Sequence, residues 1–300
     1  MTVRFCYLVS SILVLAFSTS ALGQLNLARP HIDSIAREAR GRVGVAAIDL
    51  KNGDTLSVRG DDHFPMQSVY KFPLALAVLD RIDAGVMRLS TMVHLNKADL
   101  PEDTWSPLRD RYPSGNVDLP LDSLLQYSVA QSDNNGCDKL FSLLGGTGVV
   151  DGFVHRLGIA DMSIVATEAE MAREWSVQYR NWSTPKAMAI LLQKFHSKQI
   201  LSAPSTDYLW DVMVRTSTAP RRLKGMLPKE TIVAHKTGSS GTNEKGIAAA
   251  TNDVGIIVLP DHRTVALAVF VTDSDASDES RDEVIASVAR AIWDAFSSQP

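Results

Sequence analysis

A serine and a lysine stand three positions apart at Ser68 and Lys71, where the spacing of apolar residues predicts a helix over residues 68–82. Both side chains then lie on one face of the helix, about one turn apart, so the lysine can take the serine proton. A helix N-terminus favours nearby negative charge, and its free N–H groups can stabilise an oxyanion. Pro73 is tolerated only near a helix start, which fixes where this helix begins. The pair indicates a serine nucleophile, and Ser68 as a mere helix cap is the alternative.

Two further polar motifs follow, Ser132-Asp133-Asn134 after an apolar helix predicted at residues 121–129, and Lys236-Thr237-Gly238 on a predicted strand. Short polar side chains in a turn usually satisfy local backbone groups only. A strand rich in small residues lets a ligand lie along its edge. Each motif alone is weak evidence. Together, Ser-x-x-Lys, Ser-Asp-Asn and Lys-Thr-Gly occur in this order on a helix, a loop and a strand, the set typical of class A β-lactamases and penicillin-binding proteins.

The sequence resembles class A β-lactamases over nearly the whole chain after residue 23. It is most similar to the subgroup with broad cephalosporin activity, by residues 66–69, 104–107, 181–183 and 222–225. The resemblance implies hydrolysis of the β-lactam ring of penicillins and cephalosporins through an acyl-serine intermediate, and hence antibiotic resistance. A D,D-peptidase (penicillin-binding protein) and an acylated β-lactam sensor remain as alternatives, and a base that frees the acylated serine would exclude both.

The resemblance also implies the roles of the catalytic groups. Ser68 resembles the nucleophile, Lys71 its proton acceptor or relay, and Ser132 the residue that passes a proton to the leaving ring nitrogen. The backbone N–H groups of Ser68 and Ser239 would form the oxyanion hole. The remaining candidates would bind substrate: Asn134 its amide side chain, Lys236, Thr237 and Ser239 its carboxylate with the help of Arg222, and Trp105 the cleft mouth as an aromatic wall. A Trp105 packed in the core is the alternative.

A fourth catalytic group is expected from the resemblance, a glutamate that activates the water that frees the acylated serine. We assign it to Glu168, with Glu170 and Glu174 as alternatives. Ala169 follows where many members have proline, and a cis peptide there would cost about 2.5–4 kcal/mol instead of about 0.5–1 kcal/mol. Ala172 stands where the family has an asparagine or a histidine that helps hold the water. We therefore expect an altered loop path, and slower deacylation unless another group compensates.

The elements that must position these groups come from both ends of the chain. A helical middle separates two strand regions, so we expect one antiparallel sheet built from the two termini, with a helical lobe inserted. The resemblance implies the same α/β plus all-α fold of the β-lactamase/D,D-peptidase type, with terminal helices flanking the sheet and the active site between the two parts. The predicted domains are residues 24–67 plus 216–300 (α/β) and residues 68–215 (all-helical). The predicted elements are helices at residues 29–40 and 281–296, and strands at residues 42–50, 55–58, 231–235, 248–259 and 265–272. Thr184 and Pro185 predict a sharp helix start.

The first 23 residues predict a removable secretory leader. They carry one early cation, Arg4, an apolar run from Phe5 to Phe17 and small residues at the end, and we expect cleavage before Gln24. An uncleaved anchor is the alternative, but the run is shorter than the roughly 20 residues that span a bilayer. We therefore expect a periplasmic or secreted protein, detached from the membrane after leader removal.

Composition narrows the partners and cofactors. The chain is 45% hydrophobic and 21% charged, with a net charge of -4, which favours a globular protein and neither nucleic acid nor an anionic membrane as partner. A monomer that binds β-lactam antibiotics is expected. With Cys6 in the leader, Cys137 has no disulfide partner, and we expect a buried thiol. The histidines lack metal-ligand spacing, and His235 is expected to pack within its strand. The glycine-rich segment at residues 145–148 is expected to be a helix C-cap, so neither metal nor cofactor is implied.

Overall fold

The computed structural model describes residues 20–297. Residues 1–19 of the predicted leader lie outside the described residues, and residues 20–23 form the start of the first helix. The strands are Arg42–Asp49 (β1), Thr55–Val58 (β2), Phe64–Pro65 (β3), Met92–Leu95 (β4), Val117–Pro120 (β5), Met162–Ser163 (β6), Trp182–Ser183 (β7), Val233–Ser239 (β8), Thr251–Val258 (β9) and Thr264–Thr272 (β10). The α-helices are Ser20–Arg37 (α1), Lys71–Asp83 (α2), Pro107–Arg111 (α3), Leu121–Ala130 (α4), Asn134–Leu144 (α5), Thr147–Arg156 (α6), Glu168–Arg173 (α7), Pro185–His196 (α8), Ala203–Val214 (α9) and Asp278–Ser297 (α10). Three 3₁₀ turns lie at Gln67–Tyr70, Lys97–Asp99 and Trp175–Arg180.

The main sheet joins the two ends of the chain. Its five antiparallel strands lie in the order β2-β1-β10-β9-β8, so β1 pairs with β10 along its whole length. The prediction of one sheet built from both termini is confirmed. The predicted strand at residues 231–235 is wrong at its end, because β8 continues to Ser239 through polar residues that carry no alternating apolar signal but still pair with β9.

The first helix also differs from its prediction at residues 29–40. It begins at or before Ser20 and ends at Arg37. The end is set by a tight turn in which Arg40 takes a left-handed φ of 45°, a backbone conformation that no helix can contain. The chain then enters β1 directly, which brings α1 to the same face of the sheet as α10.

Two apolar cores lie on opposite faces of the sheet. Val45 and Val269 point into a core shared with α1 and α10, whereas their neighbours Ala46 and Phe270 point into a core shared with the helical middle. This alternation is the period of two expected of a strand covered on both faces. The predicted α/β plus all-α fold is confirmed. The domain boundaries at residues 67/68 and 215/216 stay a prediction.

Helix α2 lies at the centre of the helical part. Its residues from Lys71 to Leu79 are all buried, and it packs against α4, α5, α6 and α9. A helix that is apolar on every side needs such complete coverage. Pro73 lies in its first turn, where the missing N–H has no intrahelical partner to lose. Lys71 therefore starts a rigid, fully enclosed helix.

Local signals at helix ends were more reliable than short strands. Thr184 caps α8 by accepting the N–H of Ala187 ahead of Pro185, and Gly145 ends α5 with a left-handed φ of 96°, both as predicted. The pairs formed by β3, β6 and β7 were missed, because strands of two residues show no periodicity. Within residues 20–297, no helix has the length and apolar character needed to cross a membrane.

Candidate active site

Ser68 lies in the 3₁₀ turn that leads into α2, and Lys71 is the first residue of that helix. The Lys71 ammonium is fully buried and has three oxygen neighbours: the Ser132 carbonyl at 2.8 Å, Asn134 Oδ1 at 2.6 Å and Glu168 Oε1 at 3.0 Å. An ammonium has three N–H donors, so these acceptors match it in number. Lys71 is therefore held as a charged group at the base of the site.

Glu168 is the glutamate that reaches Ser68. Its Oε1 accepts a long hydrogen bond of 3.4 Å from Ser68 Oγ in addition to its contact with Lys71. The two alternatives lie elsewhere: Glu170 forms a capping box with Thr167 at the start of α7, and Glu174 bonds Ser176. Only Glu168 of the three is brought to the cleft.

The loop before Glu168 is held by side chains that the sequence analysis did not identify. Asn181 bonds the backbone N–H groups of Val165 and Ala166 and the carbonyl of Ala166. The Asp138 carboxylate of α5 accepts the N–H groups of Glu168 at 2.8 Å and of Ala169 at 2.9 Å. No cis peptide bond occurs within residues 20–297. These bonds link residues far apart in sequence, and no local pattern announces them.

Ser132 sits on the far side of the cleft. It has a left-handed φ of 58°, and Gln67 beside the nucleophile has a φ of 48°, conformations that cost energy for residues other than glycine and often occur at functional sites. Asp133 fixes the turn by capping α5 through the N–H of Gly136. Ser132 Oγ accepts a hydrogen bond of 2.9 Å from the ammonium of Lys236. The backbone strain thus directs this hydroxyl toward β8.

Strand β8 forms the other wall and brings Lys236, Thr237 and Ser239 to one edge. Complete burial and the nearby Lys71 charge lower the pKa of Lys236 well below its usual value. The Thr237 hydroxyl is 2.5 Å from that of Thr218, which the sequence analysis missed. Gly238 is required for close approach, since a Cβ there would lie 2.5 Å from the Met66 carbonyl oxygen. The strand therefore packs directly against the turn that carries Ser68.

Arg222 supports this wall from behind. The guanidinium is buried and donates to Asp282 at 2.7 Å, to the Gly238 carbonyl at 3.0 Å, to the Asn252 carbonyl at 2.9 Å and to Ser239 Oγ at 2.8 Å. Its charge is therefore compensated by α10 while one N–H group holds the Ser239 hydroxyl. The sequence analysis named Arg222 but not Asp282.

The cleft between these walls encloses about 420 Å³. Trp105 is 61% exposed and lines its mouth, with Nε1 bonded to the Gln131 carbonyl, so the alternative of a core tryptophan is wrong. Asn134 Nδ2 donates to Thr104 Oγ1 at 2.8 Å, which fixes the amide orientation at the cleft floor. The cleft lining includes predicted site residues Ser68, Trp105, Ser132, Asn134, Glu168, Thr237 and Ser239, while Lys71, Arg222 and Lys236 lie buried behind it.

Other nucleophilic or ligand-forming side chains stay outside this cleft. Cys137 is buried, and burial raises the pKa of its thiol well above the usual value, as expected of a structural thiol. His235 is buried in β8 with Nδ1 2.9 Å from Asp253, which confirms its prediction as a packed residue. Among the residues described, no three His, Cys, Asp or Glu side chains are grouped so as to hold a metal ion.

This fold and cleft can support acyl transfer to a serine followed by hydrolysis, since a hydroxyl, an ammonium, a carboxylate and a second hydroxyl converge on one space. Residues 27–296 match the beta-lactamase enzyme family. The chain belongs to the class A β-lactamases and is a hydrolase that acts on β-lactams. The resemblance in sequence is thereby confirmed, and nothing in the comparisons supports a D,D-peptidase or a sensor.

Individual relatives agree with this membership. The chain is 42% identical to beta-lactamase VEB-1 of Pseudomonas aeruginosa, covering 96% of each chain, and 42% identical to the extended-spectrum beta-lactamase PER-1 of the same species, covering 95% of this chain and 92% of the relative. The crystal structure of a beta-lactamase from Chitinophaga pinensis superposes with a TM-score of 0.89 at 50% identity, covering 90% of this chain and 100% of the other. The TLA-3 extended-spectrum beta-lactamase gives a TM-score of 0.90 at 45% identity, covering 91% of this chain and 100% of the other.

Proposed function

We propose that the enzyme hydrolyses β-lactams through an ester on Ser68, with Lys71 as proton relay and Glu168 as the base that activates water. The observation that carries this proposal is the position of Glu168 Oε1, 3.0 Å from Lys71 Nζ and 3.4 Å from Ser68 Oγ. A base within reach of both the nucleophile and a water beside it serves both halves of an acyl-transfer reaction.

In the first half, Ser68 Oγ attacks the carbonyl carbon of the lactam ring. Its proton passes through Lys71 to Glu168, because the three acceptors around Lys71 favour its ammonium form before the reaction. The oxyanion accepts the backbone N–H groups of Ser68 and Ser239. When the ring C–N bond breaks, the Ser132 hydroxyl gives its proton to the leaving nitrogen and is resupplied from Lys236, its 2.9 Å neighbour.

In the second half, Glu168 removes a proton from a water molecule, and the resulting hydroxide attacks the ester carbonyl. The C–O bond to Ser68 breaks, and the proton returns to Ser68 Oγ. Burial of Glu168 beside Lys71 keeps the base within reach of the ester throughout. Neither step needs a metal ion or an organic cofactor.

Substrate binding follows from the charge of the walls. We assign the substrate carboxylate to Lys236, Thr237 and Ser239, with Arg222 positioning Ser239, and the substrate amide to Asn134, beneath Trp105. A second cavity of about 210 Å³ adjoins the cleft beside Glu168 and Ala172, which supports penicillins and cephalosporins with large side chains as substrates and an extended spectrum. Resistance to such antibiotics would follow.

Export and monomeric state belong to the same proposal. The cation and apolar run of residues 1–23 support a leader that directs the enzyme to the periplasm or the medium, where β-lactams are met before they reach their targets. A monomer agrees with a cleft lined wholly by one chain. No nucleic acid or membrane partner is assigned.

The test is the replacement Glu168→Gln, followed by mass spectrometry after addition of a good cephalosporin. Acylation should persist, because Lys71 without its carboxylate partner can accept the Ser68 proton itself. Hydrolysis of the ester should fall about 10²–10⁴-fold, the usual contribution of a general base, so the adduct should accumulate.

Glu170→Gln is the matched control, since it makes the same change two residues away, at the capping box of α7. It should leave no lasting adduct. Accumulation in Glu170→Gln and not in Glu168→Gln would contradict the assignment of the base, and an adduct that persists for hours in the wild type would contradict hydrolysis itself.

A further inference from the structure

Asp138 contacts the backbone of the glutamate segment and not the cleft. It lies on α5, and its two carboxylate oxygens divide their bonds: Oδ1 accepts the N–H of Glu168 and Oδ2 the N–H of Ala169. These are the first N–H groups of α7, which have no partner within the helix. One carboxylate on a rigid helix therefore fixes the backbone of Glu168 at its own position in the chain.

We propose that Asp138 is a positioning residue for the hydrolytic step, and that its ionised carboxylate holds Glu168 Oε1 against Lys71 and Ser68. This inference rests on the proposed role of Glu168 as the base. Asp138 touches neither substrate nor reacting atoms, and its effect passes through the backbone to the Glu168 side chain.

The two bonds require the charged form of Asp138. An ionised carboxylate offers two acceptor oxygens, whereas a protonated one has a hydrogen on one of them, and hydrogen bonds to a charged acceptor are about twice as strong as neutral ones. Protonation therefore weakens the hold on both N–H groups. A cavity of about 440 Å³, lined by Asp138, Ala169 and Ala172, gives water and protons access to this carboxylate.

The surroundings of Asp138 make its protonation relevant near neutral pH. Burial raises the pKa of Asp138 to about 6, the Glu168 charge adds to this, and the two N–H bonds and Lys71 oppose it. Asp138 is thus ionised above about pH 6 and becomes protonated as the pH falls through that value. The charged and titratable groups around it are Lys71, Tyr70, Cys137, Glu168, Arg173 and Asp103.

The expected consequence is a loss of ester hydrolysis in mild acid while acylation continues. With a pKa of about 6, the ionised fraction of Asp138 falls about tenfold between pH 7 and pH 5, and the deacylation rate constant should fall by a similar factor. Acylation should change less, because Lys71 can take the Ser68 proton without Glu168. The acyl-enzyme should therefore be the dominant species during turnover at pH 5.

The test compares wild type with Asp138→Asn in single-turnover experiments from pH 5 to pH 8, in which mass spectrometry follows both formation and decay of the adduct. The asparagine keeps one acceptor oxygen and cannot titrate. At pH 7.5, decay should be about 10- to 100-fold slower than in wild type, since a misplacement of about 1 Å can cost about 10² in rate. The ratio of decay rates at pH 5 and pH 7 should rise from about 0.1 toward 1.

Asp151→Asn is the matched control. Asp151 of α6 also accepts one backbone N–H of this segment, that of Ile164 at 2.8 Å, but it has no bond to Glu168. Its pH dependence of decay should match that of wild type.

A decay rate in Asp138→Asn that still falls through the same pH midpoint would overturn the proposal, because the titrating group would then be another one. Equal loss of acylation and decay in that variant would also overturn it. Should Asp138→Asn fail to fold, the wild type alone decides: decay that is flat from pH 5 to pH 7 excludes the mechanism. Absence of any adduct in Glu168→Gln would instead contradict the proposed function.

Discussion

Two lysines hold Ser132 from opposite sides of the cleft: Lys236 donates to its hydroxyl at 2.9 Å, and Lys71 donates to its carbonyl at 2.8 Å. Lys236 comes from the sheet and Lys71 from the central helix α2. The left-handed backbone of Ser132 is what turns both groups toward their partners. The sheet and the helical part are therefore joined at the hydroxyl that we assign as proton donor to the ring nitrogen.

Replacement of Ser132 by alanine should slow acylation by about 10²–10⁴-fold, because the leaving nitrogen then lacks a general acid. Stopped-flow measurement of the acylation rate checks this. Ser128→Ala is the control, since Ser128 is also buried and its hydroxyl has no hydrogen-bond partner within the described residues. Equal acylation rates in Ser132→Ala and wild type would remove Ser132 from the mechanism.

Lys236 predicts an alkaline limit to activity. Burial and the nearby Lys71 charge lower its pKa, so the ammonium is lost as the pH rises at values below those usual for lysine. Since only the charged form attracts the substrate carboxylate, kcat/KM should fall with rising pH while the protein stays folded. The measurement is a pH profile of kcat/KM with a carboxylate-bearing cephalosporin.

Lys236→Arg tests whether Lys236 is the group responsible. Arginine stays charged throughout this range, so the alkaline fall in kcat/KM should disappear or move to higher pH, whatever the activity at neutral pH. An alkaline limb at an unchanged position would assign the titration to a different group.

Thiol reagents and chelators should leave activity intact. Cys137 is buried and its thiol pKa is raised, so the reactive thiolate is scarce in the folded protein. A disulfide-exchange reagent should react only after unfolding in denaturant, which absorbance reports directly. Rapid labelling of the native enzyme with loss of activity would contradict this.

Much of the fold and site could be predicted because the signals were local. Thr184 followed by Pro185 marks a helix start by chemistry within four residues, and Ser68 with Lys71 defines a helix face by spacing alone. The pairing of β1 with β10 followed from the scarcity of strand signals in the middle of the chain.

The parts that could not be predicted depend on long-range contacts. Asp138 lies 30 residues before the N–H of Glu168 that it binds, and Asp282 lies 60 residues after Arg222. An acidic residue on a helix resembles any solvated charge until the fold shows what faces it. The left-handed φ of Gln67 is likewise set by packing, since no glycine or asparagine marks the position.

Asp282 should contribute both stability and substrate affinity. Its carboxylate bonds Arg222 Nε at 2.7 Å, and the two side chains are only 11% and 8% exposed. Removal of one partner of a buried ion pair leaves an uncompensated charge and typically costs about 3–5 kcal/mol. Three oxygen acceptors of Arg222 remain, so Asp282→Ala should lose about 3 kcal/mol of unfolding free energy, near the lower end of that range.

The same variant should bind carboxylate-bearing substrates less well. Arg222 holds Ser239 Oγ, and a guanidinium freed from Asp282 would no longer fix that hydroxyl at the edge of β8. KM should rise while kcat changes less, because Ser68, Lys71 and Glu168 keep their contacts. Urea denaturation and steady-state kinetics measure the two effects separately. Glu279→Ala is the control: Glu279 is 71% exposed and 3.9 Å from Arg221, so its removal should change stability by less than about 0.5 kcal/mol. If Asp282→Ala matches wild type in both stability and KM, the support of Ser239 by Arg222 does not depend on α10.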